Sequence, residues 1–257
     1  MSSTRDFYDE LAGDYHLIFA DWQQSVEHQA EVLDRLIRAE LGDRPLPLLD
    51  CTCGIGTQAI GLAARGYHVH GTDLSPKAIA RAIREAESRS VSASFSVADV
   101  RFLDTQVHGT FDVVISCDNS LPHLLTDKDL VAGARSLNAK LVPGGLLVAS
   151  IRDYDHLLAD RPRSELPRVF DGPAGRRIVF QIWDWSADGA TYVVHLFIVQ
   201  EAYGRWSTSH HATAYRPLRR EELAGFLDRA GFSQVRWRMP AETGYYQPIV
   251  TARKEQT

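Results

Sequence analysis

This sequence of 257 residues has only three cysteines, no long apolar run and no surplus of positive charge. Cys51, Cys53 and Cys117 are too few for a disulfide framework, and the Cys-x-Cys spacing is not that of a zinc knuckle or a thioredoxin motif. We therefore expect these cysteines to be small buried side chains in a reducing compartment.

The apolar and charged residues exclude further classes of protein. No apolar run reaches ~18 residues, so no membrane span is expected. The N-terminal residues show no basic stretch followed by an apolar one, so we expect no secretory signal. We therefore expect a cytoplasmic location. A net charge of −5 argues against nucleic acid as the main partner.

What is present is organised around residues 48–64, "LLDCTCGIGTQAIGLAA". Two leucines end in Asp50, a loop with Gly54 and Gly56 follows, and the next apolar residues suit a helix. This unit brings backbone N–H groups close to a bound nucleotide, because glycine has no Cβ to keep the ligand away. The spacing Gly54-x-Gly56-x-x-Ala59 also satisfies the dinucleotide fingerprint, so the motif alone leaves a nicotinamide-dependent dehydrogenase open.

Strands and helices alternate after this motif begins, with predicted strands at 47–51, 67–72 and 93–98, a fourth within 111–120 that is continuously apolar from 113 to 115, and a fifth at 146–151. Such alternation implies right-handed crossovers in a parallel sheet. Three β-rich stretches between 176 and 214 then predict an antiparallel insertion. A helix at 218–230 and strands at 232–239 and 247–253 follow. We expect one domain over 1–257, with an aromatic arm and helix over 1–45 and an inserted β-rich flap over 160–215.

These features resemble the class I S-adenosylmethionine-dependent methyltransferases over nearly the whole chain. "LLDCTCGIGT" is similar to the family's first motif, although Thr52 stands at the first glycine position. Asp73 and Asp99 end the second and third strands, where the resemblance implies acceptors for the ribose hydroxyls and the adenine amino group, and "LVPGGLLVAS" resembles the entry to the fifth strand. The implied fold is α/β: a Rossmann-like, seven-stranded, mostly parallel sheet with an antiparallel last strand, helices on both faces, and the flap after the fifth strand. The implied cofactor is S-adenosyl-L-methionine.

Within that family, two stretches resemble the glycine and sarcosine N-methyltransferases. "CDNSLPHL" at 117–124 is similar to their motif after the fourth strand, and "IRDYDHLL" at 151–158 to the one after the fifth. The resemblance implies that Asn119 lies near the reacting groups and that Arg152 binds a substrate carboxylate, a task suited to a planar, always-charged guanidinium. It also implies that Tyr8 and Tyr15 belong to a lid over the cofactor, where aromatic faces attract a sulfonium cation.

The predicted site has three groups of residues. The catalytic candidates are Tyr8, Asn119 and His123. The predicted cofactor-binding residues are Tyr15, Asp50, Cys53, Gly54, Gly56, Asp73, Leu74, Asp99, Val100 and Cys117. The predicted substrate-binding residues are Trp22, Arg152, Tyr154, His210 and Tyr215. No metal is expected, because the histidines of the flap lack a recognisable ligand spacing.

Each candidate has a plainer alternative. Asp73, Asp99 and Asn119 are residue types that also cap turns, and a histidine in this motif is more often a hydrogen-bonded scaffold than a base. Arg152 has Asp153 or Asp155 as rival partners, and spaced aromatic residues commonly pack a core.

The expected function is methyl transfer to a small molecule, most simply to an amine nitrogen, by positioning and exclusion of water. An O- or C-methyltransferase of a natural-product pathway stays open; it would need a base, with His123 or His210 the first candidates. A non-catalytic cofactor-binding protein stays open too. The oligomeric state is not decided by the sequence, and a homodimer is one of the alternatives.

Overall fold

A computed structural model describes residues 3–172 and 175–256. Its strands are β1 Pro47–Asp50, β2 His68–Asp73, β3 Ser94–Val97, β4 Phe111–Ser116, β5 Leu141–Ser150, β6 Arg168–Gly172, β7 Gly175–Trp185, β8 Tyr192–Ala202, β9 Arg205–Tyr215, β10 Phe232–Arg238 and β11 Ile249–Lys254. Its α-helices are α1 Thr4–Leu11, α2 Trp22–Leu41, α3 Thr57–Ala63, α4 Pro76–Ser88, α5 Leu103–Gln106, α6 Asp127–Ala139, α7 Tyr154–Asp160, α8 Arg220–Arg229 and α9 Pro240–Thr243. Two 3₁₀ helices lie at Tyr15–Ile18 and Leu121–His123.

Seven strands form one sheet in the order β10-β11-β5-β4-β1-β2-β3. The five neighbouring strands β5, β4, β1, β2 and β3 pair in parallel. Strand β11 runs antiparallel to both of its neighbours, β5 and β10. In β4, Val114 packs into one hydrophobic cluster, and Val113 and Ile115 pack into another on the opposite face. A strand covered on both faces is apolar throughout, as the sequence indicated. The predicted fold class is confirmed.

Side-chain caps fix the N-terminal boundaries of three helices. The N-cap residues Asp21, Ser75 and Thr126 each accept a hydrogen bond from a backbone N–H three residues on. Helix α2 ends at Leu41, where Gly42 has a φ of 85°.

The inserted region forms a separate antiparallel sheet of four strands in the order β6-β7-β8-β9. Its turns lie at Gly189 and Gly204, both with positive φ, as expected. Strand β6 was not predicted. The residues of β6 are mostly exposed and the strand lies at an edge, so its sequence carries no alternation of buried and exposed residues.

The N-terminal segment, residues 3–19, lies between the small sheet and helix α4. Phe7 and Leu11 of α1 pack against the small sheet. On the other side, Asp9 Oδ1 accepts hydrogen bonds from Ser75 Oγ at 2.5 Å and from the Lys77 backbone N–H at 3.1 Å. No helix in the described ranges has the length and hydropathy needed to cross a membrane.

Candidate active site

The glycine loop lies at the carboxyl end of β1, beside a cavity of about 290 Å³ that we call the first cavity. Gly54 has a φ of 53°, and its backbone N–H donates to Asp73 Oδ2 at 2.9 Å. A Cβ added at Gly54 would meet no atom within 4 Å, so this backbone faces open space. The first cavity is lined by seven of the ten predicted cofactor residues, namely Tyr15, Cys53, Gly54, Asp73, Leu74, Asp99 and Val100.

Two buried carboxylates lie beside the glycine loop. Asp50 Oδ2 has no hydrogen-bond partner among the described residues, and Asp50 Oδ1 accepts a long bond from the Thr52 N–H at 3.5 Å. Burial raises the pKa of Asp50 well above its ordinary value, and the carboxylates of Asp118 and Asp73 raise it further. Burial also raises the pKa of Asp73, although N–H groups of Ser75 and Gly54 oppose this. The site is therefore short of positive charge.

Asp99 lies at the far end of the first cavity and is held by an arginine. Arg101 donates to both carboxylate oxygens of Asp99, at 2.6 and 3.0 Å, and its Nη1 donates to Asp129 Oδ1 at 2.8 Å. Arg101 also lines the cavity and was not predicted as a site residue. This ion pair fixes the orientation of the carboxylate and occupies part of its capacity to accept hydrogen bonds.

A second cavity of about 760 Å³ opens between the large and the small sheet. Its walls are mainly apolar and aromatic, with Phe7, Leu11, Trp183, Leu196 and Tyr215 among them. Tyr8, Tyr15 and Asp118 line both cavities. These three side chains therefore form the junction between the first and the second cavity.

The junction carries an uncharged hydrogen-bonded pair. The Tyr8 hydroxyl lies 2.9 Å from His123 Nε2, and the His123 ring lies 4.1 Å, centroid to centroid, from that of Tyr215. Burial lowers the pKa of His123 to about 3 and raises that of Tyr8. At neutral pH the pair is therefore a neutral imidazole and a neutral phenol.

Two residues after β4 have left-handed backbone conformations, Asp118 with φ 59° and Asn119 with φ 66°. Asp118 Oδ1 accepts a hydrogen bond of 2.6 Å from the Tyr245 hydroxyl. Asn119 Oδ1 accepts from the Arg152 N–H and from the Tyr154 hydroxyl, each at 3.0 Å. The Asn119 amide nitrogen is buried with no partner among the described residues, so a donor is left at the second cavity.

Arg152 lies in the second cavity with neutral hydrogen-bond partners. Its guanidinium donates to Tyr192 Oη and Gln181 Oε1, both at 3.0 Å, and lies over the Trp183 ring at 4.8 Å. The two rival partners are otherwise engaged, since Arg220 pairs with both Asp153 and Asp155 at 3.1 and 3.0 Å. Within residues 3–172 and 175–256, no carboxylate lies at ion-pair distance from Arg152.

Several predicted site residues lie elsewhere. Trp22 is buried and donates to Thr57 Oγ1, and Cys117 packs into the hydrophobic cluster of the large sheet. Gly56 forms the N-cap of α3. His210 is exposed on the outer face of the small sheet, 3.0 Å from His195, whereas its neighbour His211 faces inward. The placement of Trp22 and His210 differs from the expectation of a substrate contact, because strand alternation and core packing turn them away.

Asp118 was not predicted as a site residue, although the signal was available. It is a fourth acidic residue following a buried parallel strand, like Asp50, Asp73 and Asp99. Asp118 stands directly before Asn119, and the resemblance drew attention to the asparagine alone.

Comparisons with known proteins agree with this geometry. The profile of a methyltransferase domain matches residues 48–145. The glycine/sarcosine N-methyltransferase of Parasynechococcus marenigrum (strain WH8102) is 37% identical over 138 residues, which are 54% of this chain and 48% of that relative. The glycine/sarcosine N-methyltransferase of Halorhodospira halochloris is 24% identical over 192 residues, 72% of this chain and 70% of the relative. Among solved structures, CalS10, an amino pentose methyltransferase from Micromonospora echinaspora with bound S-adenosylmethionine, has a TM-score of 0.72 at 21% identity, covering 91% of this chain and 92% of CalS10.

The domain match over residues 48–145 and the two relatives show that this chain is similar to the class of methyltransferases, and the solved structure shows that it shares their fold. Within that class, the two relatives above act, by their names, on glycine and sarcosine nitrogens. The match to the first of them spans about half of its length.

Proposed function

We propose that this protein transfers a methyl group from S-adenosyl-L-methionine to an amine nitrogen of a small molecule. The observation that carries the proposal is the meeting of two cavities at Tyr8, Tyr15 and Asp118. One cavity follows the glycine loop, and the other is lined by aromatic residues and Arg152. A donor and an acceptor bound on either side of this junction would face each other.

The residues of the first cavity fit the cofactor chemically. The unpartnered Oδ2 of Asp50 suits an ammonium group, and Asp73 has lone pairs left for ribose hydroxyls. The sulfonium would lie near the faces of Tyr8 and Tyr15, which attract cations. When bound, the cofactor supplies a methyl group whose C–S electron pair stays on sulfur as the positive charge passes to the acceptor nitrogen.

The chain's own residues would then act by positioning. The N-terminal segment closes over the junction and excludes water, which we propose as its role as a lid. Asn119 fixes the backbone of Arg152 through its carbonyl oxygen and presents its amide nitrogen to the second cavity. His123, with its pKa near 3, is a weak base and holds the Tyr8 hydroxyl in place. A weak base favours an amine over a hydroxyl or carbon acceptor.

The acceptor is larger than glycine, and it carries an anionic group. The second cavity has about 760 Å³, within the range of about 300–1,000 Å³ that accommodates drug-sized ligands. Arg152 has only neutral hydrogen-bond partners, and a buried guanidinium is stabilised by an opposite charge. An amine with a carboxylate or phosphate on an apolar or aromatic body satisfies both features.

The test is a methyl-transfer screen with radiolabelled cofactor. The panel contains glycine, sarcosine, larger amino acids, aminosugars and, for each amine, the matching alcohol. We expect transfer to a larger anionic amine and little to the alcohols. Calorimetry with S-adenosylhomocysteine is the accompanying control: a protein that does not bind it refutes the proposal, as does transfer to alcohols in preference to amines.

A further inference from the structure

Asp118 is a partly buried acid at the junction, and no cation pairs with it within the described residues. It lines both cavities and has a positive φ, which is uncommon for a non-glycine residue. The Tyr245 hydroxyl donates to its Oδ1 at 2.6 Å, and Tyr245 is itself buried within 2.7 Å of Gln29 Oε1. The carboxylate is thus held in one orientation by an ordered network.

The acidic residues around the junction carry more negative charge than the cofactor can neutralise. Within the described ranges no lysine, arginine or histidine pairs with Asp50, Asp73 or Asp118. The cofactor of the proposed function has a sulfonium and an ammonium but also a carboxylate, so its net charge is below that of three carboxylates. Three ionised carboxylates carry −3 and the cofactor carries +1, so negative charge is left over, and Asp118 lines the second cavity as well as the first.

Within the described residues, none of the arginines that line the two cavities (Arg5, Arg101, Arg152 and Arg168) forms an ion pair with Asp118. Arg101 is committed to Asp99 and Asp129. Arg152 is directed to Tyr192 and Gln181. The site therefore keeps Asp118 uncompensated in the absence of ligands, at a cost in stability, which is the pattern of a group reserved for a cationic ligand.

We propose that Asp118 binds the amine of the acceptor and stabilises the positive charge that its nitrogen gains; this rests on the proposed function. The nitrogen donates a hydrogen bond to the carboxylate, and the ordered Tyr245 contact keeps that carboxylate aimed at the junction. Asp118 would thereby determine specificity for amines, because a hydroxyl acceptor gains no comparable charge-assisted bond.

The test needs no knowledge of the acceptor, since two cofactor analogues report the charge at the junction. Sinefungin carries a primary ammonium group where the cofactor has its sulfonium methyl, and S-adenosylhomocysteine is uncharged there. We expect wild-type protein to bind sinefungin at least about tenfold more tightly than S-adenosylhomocysteine, as one charge-assisted bond allows. In Asp118→Asn this preference falls to about threefold or less, with unchanged S-adenosylhomocysteine affinity.

Asp73→Asn is the matched control, because it makes the same chemical change in a buried residue that lines the first cavity alone. It should weaken both analogues by the same factor and keep their ratio. Unchanged preference in Asp118→Asn overturns the inference while the proposed function stands. Equal affinity for the two analogues in the wild type overturns it as well, and this measurement does not depend on whether a variant folds. Failure of the wild type to bind either analogue refutes the proposed function instead.

Discussion

The hydroxyl of Tyr8 and Nε2 of His123 lie 2.9 Å apart, although 115 positions separate the two residues in the chain. The contact joins the first helix to the 3₁₀ turn after β4 and closes one wall of the first cavity. Because both groups are neutral at neutral pH, the bond orients the phenol without charging it. We therefore expect the Tyr8 hydroxyl to position the reacting groups at the junction.

Removing that hydroxyl tests the role of the junction. Tyr8→Phe deletes one buried hydrogen bond and leaves the ring packed, so we expect kcat to fall about tenfold or more while affinity for S-adenosylhomocysteine stays within about threefold. Steady-state kinetics and calorimetry measure the two quantities. Tyr203→Phe is the matched control, because Tyr203 is fully exposed. Equal loss of turnover in both variants would contradict the assignment.

Arg152→Lys tests recognition of an anionic acceptor. An ammonium cannot reproduce the two-pronged geometry of the guanidinium, so the acceptor KM should rise or kcat fall, by about tenfold, with cofactor affinity nearly unchanged. Arg219→Lys, at an exposed position outside the second cavity, should leave both constants as they are. Full activity of Arg152→Ala toward the native acceptor would point to a neutral acceptor held by the aromatic walls.

The pH dependence of stability follows from Asp50. Its pKa is raised in the folded state, so the unfolded chain loses this proton near pH 4 while the fold retains it to higher pH. The ligand-free protein therefore loses stability as the pH rises through the raised pKa. Asp50→Asn removes this loss, and its midpoint of thermal unfolding should exceed that of the wild type at pH 7.

In a chain of this length, the midpoint of thermal unfolding should rise by about 2–4 °C for each kcal/mol by which Asp50→Asn lowers the free-energy cost of the buried charge. The advantage should shrink at about pH 3, below the ordinary pKa of an aspartic acid, where the wild-type carboxyl is protonated in both states. Differential scanning calorimetry at the two pH values checks this. With S-adenosylmethionine present, the wild type should have the higher midpoint of thermal unfolding, since the ammonium group of the cofactor compensates the charge of Asp50. A variant less stable than the ligand-free wild type at pH 7 would show that Asp50 is compensated in some other way.

Asp9 tests the proposed lid. Its carboxylate accepts bonds from Ser75 and Lys77 in the first turn of α4, where a negative charge also interacts well with the helix dipole. In Asp9→Asn, dissociation of S-adenosylhomocysteine should be about three- to tenfold faster, and protease cleavage near the N-terminus should increase. Glu10→Gln changes an exposed neighbour and is the control. Unaltered dissociation of S-adenosylhomocysteine in Asp9→Asn would show that the N-terminal segment does not control release of the cofactor.

The sequence predicted the large sheet because its strands and helices depend on local signals. Apolar runs such as that of β4 and cap residues such as Ser75 act within a few positions of the chain. The small sheet shows the limit: a shift of one residue in strand phase exchanges its two faces, and His210 rather than His211 faces solvent. Nothing local sets that phase, because it follows from packing of the sheet against α1.

The site shows the same division. Asp50, Gly54 and Asp73 follow from one strand–loop–helix motif and meet in the structure. The partner of Asp118 could not be predicted in this way, because Tyr245 lies 127 positions away in the sequence. Only the folded chain brings Tyr245 to the loop after β4.

Tyr8 and Tyr15 contribute to both cavities, and both belong to the N-terminal segment. One movement of that segment would open the two cavities together, so spent cofactor and methylated product would leave during the same opening event. Such openings take microseconds to milliseconds and often limit turnover. Where they do, strongly and weakly nucleophilic acceptors are consumed at the same maximal rate, and solvent viscosity slows both alike.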